Sequence, residues 1–175
     1  MFFDLIETRR SIRKFKPDPV SQQTRDKIIE AALRAPSSRG FNPWRFIMVD
    51  DPQLLDRLAR AKTHGSSFLA GAPLGIVVLG DPSASDVWVE DASIASIYIH
   101  LAAHALGLGS CWIQIRNRDH GDGKTSDQYI KEVLSIPETM AVESILALGY
   151  PAQTRDPHPK ESLQIEKVFM NRFGS

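Results

Sequence analysis

The residues of this sequence with the clearest chemical potential form a basic run near its start. Five of the eight residues from Arg9 to Lys16 are cationic: Arg9, Arg10, Arg13, Lys14 and Lys16. Because Arg9 and Arg13 stand four apart, a helical turn would place both guanidinium groups on one face, with the Ser11 hydroxyl as a further donor. The run indicates either an anion site built from side chains or a solvated helix end whose cations complement the helix dipole.

Two histidines form the next candidate. His100 and His104 have the spacing at which one helix can supply two ligands to a metal ion. The sequence offers no Glu-x-x-His context and no evident third ligand. We therefore favour two partly exposed histidines on the one polar stripe of a helix, and predict no metal site.

The sequence nominates no nucleophile with a base beside it. Cys111 lies in an apolar stretch and is interpreted as a packed thiol, and Ser37 and Ser38 lack the context of a nucleophile elbow. Gly107 and Gly109 end a helix rather than open one, so no dinucleotide-binding fingerprint applies. An anion site without such machinery is typical of a protein whose cofactor carries the reaction.

Composition bounds the class of protein. The chain has 175 residues, a formal net charge of zero and a single cysteine, which suits one globular domain without disulfides. Neutral charge argues against a general binder of nucleic acid or anionic membrane, and no run approaches the ~20 apolar residues of a membrane span. Acids at Asp4 and Glu7 stand where a signal peptide would be basic, so we expect a cytoplasmic protein.

The elements that would position these residues follow from periodicity and capping signals. Helices are predicted over residues 2–10, from Ser21 towards Pro36, after Asp51-Pro52, over residues 89–106, and after a capping box at Thr125 to Gln128. Strands are predicted over residues 45–49, 75–79, 110–115 and 142–148, with loops at 36–43 and 117–124. The pattern predicts an α+β fold, with helices on both faces of a small sheet.

Two segments are too apolar for ordinary surface positions. The helix over residues 89–106 is apolar nearly all round, which predicts a central or interface helix. The tail over residues 150–175 has little periodicity but carries Leu163, Ile165 and Phe169, so we expect it to lie on its own domain or on a partner subunit. No linker or repeat interrupts the chain, and residues 1–175 are predicted to form one domain.

Five blocks of the sequence resemble the nitroreductase family of flavoproteins, in the family's order along nearly the whole chain. The blocks are ETRRSIRKF from Glu7, APSSRGFNPWRFIMV over residues 35–49, EDASIASIYIHLAAHALGLGSCWIQI over residues 90–115, LALGYPAQ over residues 146–153, and NRFG near the end. The resemblance implies a three-layer fold, with a central, mostly antiparallel sheet flanked by helices. It also implies an intertwined homodimer that holds FMN at its interface, with residues from about 150 to 175 forming an arm that crosses to the partner.

The resemblance assigns roles to the basic run. Arg9 would hold the FMN phosphate, with Ser11 and the backbone of Arg10 nearby. Arg13 would lie by the pyrimidine edge of the flavin, where a fixed guanidinium stabilises the negative charge that two-electron reduction creates.

Other segments are expected to reach the same flavin. The resemblance implies that a loop from the other subunit contributes Pro36, Ser37, Ser38 and Arg39. It also implies that main-chain groups around Trp112, Ile113 and Gln114 line the flavin, and that Lys160 is a second cation for the phosphate. Whether Lys62, His64 and Ser66 touch the flavin stays open.

The activity implied is an FMN-dependent transfer of hydride from NAD(P)H to a nitroaromatic, quinone or similar acceptor, in a ping-pong sequence. The alternatives are an FMN storage or sensing protein, and a flavin-dependent dehalogenase or flavin-fragmenting enzyme. Departures from the family pattern at Gly40, Asn42 and Gln114, together with the short chain, predict an open, permissive pocket.

Overall fold

A computed structural model describes residues 2–174 of the chain. Its strands are β1 (Trp44–Val49), β2 (Leu74–Gly80), β3 (Gly109–Gln114), β4 (Asp119–Gly121), β5 (Lys124–Thr125) and β6 (Ala141–Gly149). Its α-helices are α1 (Phe2–Thr8), α2 (Gln22–Leu33), α3 (Pro52–Ala59), α4 (Trp88–Ala105) and α5 (Ser126–Leu134).

The central sheet has four strands in the order β1-β2-β6-β3, and every neighbouring pair is antiparallel. One face packs on α3 and α5 through residues such as Leu58, Ile130 and Ile145. The opposite face packs on α2 and α4 through residues such as Ile28 and Ile99. The predicted three-layer α+β fold with a mostly antiparallel sheet is therefore confirmed.

Local capping signals set the predicted starts of three helices. The Ser21 side chain accepts from the Thr24 amide at α2, and the Asp51 carboxylate accepts from two amides at α3. Thr125 and Gln128 form the predicted capping box at α5.

The sheet departs from the sequence prediction at two places. Residues 119–125, all but the last within the stretch 117–124 predicted as a loop, form the β4–β5 hairpin, which glycines at positive φ permit. Strand β6 carries a bulge, because its pairing with β2 skips Glu143 between Val142 and Ser144. Bulges re-aim side chains and occur often next to active sites.

The segment after α1 pairs with β3, at the edge of the sheet, and with the residues that follow β6. The Ile12 amide donates to the Ser110 carbonyl at 3.0 Å, and the Lys16 amide donates to the Tyr150 carbonyl at 2.8 Å. Beyond residue 153 the described chain is exposed and irregular, with two short 3₁₀ turns. Within residues 2–174, no helix has both the length and the hydropathy to cross a membrane.

Candidate functional site

The basic run lies after α1 in extended backbone, not in a helical turn. The Arg9 amide still bonds to the Leu5 carbonyl, but Ser11 forms a parallel bridge with Ser110 on β3. The helical placement of Arg9 and Arg13 is therefore wrong. Burial of Ile12 against Gly109 explains the extended backbone, because an added Cβ at Gly109 would lie 2.7 Å from the Ile12 Cβ.

Extended backbone nevertheless gathers the predicted residues, because alternate side chains share a face. Arg9, Ser11 and Arg13 act on one group, the Cys111 thiol of β3. Burial raises the pKa of this thiol, while the charge of Arg13, a hydrogen bond from Ser11 and the charges of Arg9 and Lys62 oppose the rise. We call Arg9, Arg13 and Lys62 the cationic cluster.

The cationic cluster forms no salt bridge within the described part of the chain. Among residues 2–174, no salt bridge involves Arg9, Arg10, Arg13 or Lys62, whereas Lys131 bonds Asp127 at 2.7 Å. The Arg13 guanidinium lies over the Phe68 ring, 5.7 Å from its centroid. Unopposed cations around a buried strand form a site that attracts an anion.

The sequence left open whether Lys62, His64 and Ser66 touch the flavin, and the structure gives the three residues different environments. Lys62 joins the cluster, and burial together with the charge of Arg118 lowers its pKa. Ser66 is buried and its hydroxyl donates to the Ala59 carbonyl at 2.8 Å, so it serves the local fold. His64 is exposed.

The expectation of two partly exposed histidines is wrong for His100. This residue is 4% exposed, and its Nδ1 lies 2.7 Å from the Ser110 Oγ. Burial and then the charge of Arg9 lower the pKa of His100 to about 4, so the ring is neutral at pH 7. His104 is partly exposed and its Nε2 lies 2.8 Å from the Thr8 Oγ1. Within the described chain, no three metal-binding side chains cluster.

A cleft lies beside the basic run and is lined in part by its arginines. Its volume is about 270 Å³, and its walls include Arg9, Arg10, His104, Ser110 and Arg155. Three arginines, Arg9, Arg10 and Arg155, thus line one cleft. Positive charge concentrated around a cleft attracts an anionic group.

The loop after α2 is held by α4. The Ser38 amide donates to the buried Asp91 carboxylate at 2.8 Å, and Ser85 donates to its other oxygen at 3.3 Å. Sequence reasoning missed Asp91, although an acid in the first turn of an apolar helix was a signal. Pro36 and Arg39 are exposed at this loop, and the Arg39 guanidinium lies 6.0 Å from the Phe41 ring centroid.

Asn42, one of the departures from the family pattern, closes this loop. The Asn42 backbone N–H donates to the Ser37 hydroxyl at 2.9 Å, and the same hydroxyl donates to the Asn42 side-chain Oδ1 at 2.8 Å. Arg39, Gly40 and Asn42 all have positive φ. Asn and Gly tolerate that conformation well, which accounts for these residue types here.

The two predicted flavin-binding segments lie at opposite ends of α4. Asp91, which binds the Ser38 amide, is in its first turn, and His104, next to Thr8, is in its last turn. Their separation of 13 residues corresponds to about 20 Å along the helix. One chain therefore does not bring Ser38 and Arg9 together.

Gln114 is held in a defined orientation. Its Oε1 accepts from the Trp112 Nε1 at 2.9 Å and its Nε2 donates to the Arg116 carbonyl at 3.0 Å. Glu143, the buried residue of the bulge that sequence reasoning missed, accepts a long hydrogen bond of 3.5 Å from the Ser93 hydroxyl. Burial raises the pKa of Glu143, against the opposing charge of Arg116.

Two other residues predicted to bind the flavin, Ile113 and Lys160, lie outside the cationic cluster. The Ile113 side chain is fully buried in the core, so only its main chain is available to a ligand. Lys160 begins an exposed 3₁₀ turn in the tail. Among the described residues, no hydrogen bond or ion pair joins Lys160 to the cationic cluster.

Fold and site together define a class: a three-layer α+β domain with a cationic cluster at the edge of its sheet. The model of the nitroreductase family matches residues 6–65 and 59–150. The chain belongs to the nitroreductase family.

Individual proteins that the chain resembles carry the names of nitroreductases or of a flavin oxidoreductase. An FMN-dependent nitroreductase from Clostridium difficile R20291 has 46% identity and a TM-score of 0.96, with 98% of this chain and 99% of that chain covered. A protein of Archaeoglobus fulgidus, provisionally named an NADH dehydrogenase/NAD(P)H nitroreductase, is 39% identical over 87% of this chain and 86% of its own. The NADPH:FMN oxidoreductase of Vibrio harveyi, solved with NAD⁺, has 25% identity and a TM-score of 0.84, covering 99% and 78%.

Proposed function

We propose that this chain is an FMN-dependent NAD(P)H oxidoreductase that acts as a homodimer. The observation that carries the proposal is the cationic cluster, whose charges have no counter-ion among the described residues. The names of the relatives, which include FMN-dependent and NAD(P)H-dependent enzymes, support this choice of cofactor and donor.

The residues present fit FMN. Arg9, Ser11 and the backbone of Arg10 would hold the phosphate, because Arg9 and Arg10 line one cleft and charge-assisted bonds to phosphate are strong. Arg13, fixed over Phe68, would lie at the pyrimidine edge. Lys160 would reach the phosphate through the C-terminal arm of residues 150–175.

The rest of the flavin site would come from a second copy. Because the α4 residues that contact Ser38 and Thr8 lie about 20 Å apart along the helix, the segment containing Pro36, Ser37, Ser38 and Arg39 would act on the partner's flavin. The exposed apolar face of α4, which carries Ile94, Ile97 and Tyr98, provides a surface for that contact. The exposed apolar side chains of the tail support an arm that packs on the partner.

Bound FMN would supply two-electron redox chemistry, in which a reduced nicotinamide is oxidised first and a nitroaromatic, quinone or similar acceptor is then reduced in the same space. The protein contributes position and charge. Arg13 would stabilise negative charge that develops at the flavin. The main chain of Ile113 and the fixed amide of Gln114 would line it.

Steady-state kinetics test this function. Initial rates measured against NADPH or NADH at several concentrations of a quinone should give parallel reciprocal plots, since donor and acceptor bind in turn. Intersecting plots would exclude the ping-pong sequence. Bound flavin without turnover of any nitroaromatic or quinone would favour a storage protein instead.

A further inference from the structure

A groove lined by cationic and histidine residues lies around Lys62 and does not include Arg9. Lys62, Thr63 and His64 line two adjoining clefts. The first, of about 410 Å³, also contacts His120, and the second, of about 320 Å³, contacts Arg118. Because three consecutive residues belong to both, we treat the two clefts as one groove.

The two cations of the groove repel each other. The charge of Arg118, after burial, lowers the pKa of Lys62, and within residues 2–174 neither side chain forms a salt bridge. The Arg118 guanidinium donates to the carbonyl of Asn117 at 3.4 Å. Asp119 lines the same groove but forms no ion pair with Lys62 or Arg118. A bound anion would remove this repulsion.

His120 lines the groove and carries a buried nitrogen without a hydrogen-bond partner in the described chain. Its ring stacks on Tyr129 with centroids 3.9 Å apart and planes 13° apart. Its Nδ1 is buried and has no hydrogen-bond partner in the described chain. Leaving such an atom unpaired costs free energy that a ligand oxygen could recover.

We propose that this groove binds a phosphate group of the nicotinamide donor, held by Lys62, Arg118 and His120. The assignment rests on the proposed function, because it identifies part of the donor site. Two cations with an imidazole suit a phosphate, which offers several acceptor oxygens and up to two charges. Lys62 also acts on Cys111, so the groove continues from the cationic cluster. The phosphate is either the 2′-phosphate of NADPH or the pyrophosphate common to both nicotinamide dinucleotides.

Equilibrium binding of two dinucleotide fragments tests the groove and separates these sources. Adenosine 2′,5′-bisphosphate and ADP are titrated by calorimetry into the FMN-loaded protein and into Lys62→Gln, Arg118→Gln and Lys27→Gln variants. Lys27 is an exposed lysine on α2, on the opposite face of the sheet, and is the matched control. Loss of one charge-assisted bond at Arg118 should weaken binding about tenfold, the low end of the usual range because the residue is exposed.

Weakening confined to the 2′,5′-bisphosphate supports the proposal with the 2′-phosphate as ligand, and weakening of both probes supports it with the pyrophosphate. Unchanged affinities in both groove variants, or an equal loss in Lys27→Gln, would overturn it. Loss of FMN from Arg118→Gln would also overturn it, by assigning the groove to the flavin. If the wild-type protein takes up no FMN, the proposed function fails, while the same titrations of the flavin-free protein still test phosphate binding.

Discussion

Burial of His100 should make the stability of this protein depend on pH in a defined window. The pKa of His100 falls from its ordinary 6.5 to about 4 in the folded chain, because of burial and the nearby Arg9 charge. Between pH 6.5 and about pH 4, His100 is mostly protonated in the unfolded chain and mostly neutral in the folded chain. The stability contributed by neutral His100 is therefore complete above pH 6.5 and is lost as the pH falls towards 4.

The magnitude follows from that difference in pKa. A change from 6.5 to about 4 corresponds to about 3 kcal/mol, at ~1.4 kcal/mol per pH unit. Most of it, roughly 2–3 kcal/mol, should be lost between pH 7.5 and pH 4.5. With a urea dependence of about 2 kcal/mol per molar, the unfolding midpoint would shift by about 1 M.

The assay compares the wild-type chain with His100→Asn. Urea unfolding at fixed protein concentration gives the free energy of unfolding for each chain at several pH values. Asn retains a polar atom towards Ser110 but does not titrate, so the difference between the two chains isolates His100 from Glu143 and His104. A difference that stays constant from pH 7.5 to pH 4.5 would refute the reasoning, as would a histidine resonance of His100 that titrates near 6.5.

Further predictions concern the cofactor and the dimer. Arg9→Ala should weaken FMN binding by about 1.5–3 kcal/mol, the range for a lost charge-assisted bond; equal FMN retention in dialysed Arg9→Ala and Lys27→Ala would remove Arg9 from the site. Deletion of residues 154–175 should abolish the dimer and FMN binding together, as measured by light scattering and absorbance, and a flavin-loaded monomer would contradict the shared site. Gly109→Ala should lower the melting temperature and FMN uptake, because its Cβ would displace Ile12 and the basic run; unchanged values for both would show that the chain absorbs the clash locally.

Local signals explain what the sequence predicted of the fold. Ser21, Asp51 and Thr125 cap their own helices, so neighbouring residues are enough to place those helix starts. The fully apolar stretch over residues 75–79 could only be a buried strand or helix, and its length favoured a strand. These features depend on nothing distant in the chain.

What the sequence did not predict depends on contacts between distant residues. His100 is buried because β3 brings Ser110 to it, and the basic run is extended because Ile12 packs against Gly109. Lys62 belongs to the cationic cluster because the fold brings it near Cys111 and Arg118, which are distant in sequence. Glu143 is buried at a bulge of β6 that no local pattern marks.

The visible spectrum of the purified protein, recorded before and after NADPH or NADH is added without oxygen, tests the central claim most directly. We predict flavin absorption bands, either as purified or after FMN is added, that bleach within seconds when the nicotinamide is mixed in. Flavin bands that persist would contradict a nicotinamide-dependent reductase. A colourless protein that takes up no FMN would contradict the assignment of the cationic cluster to a flavin.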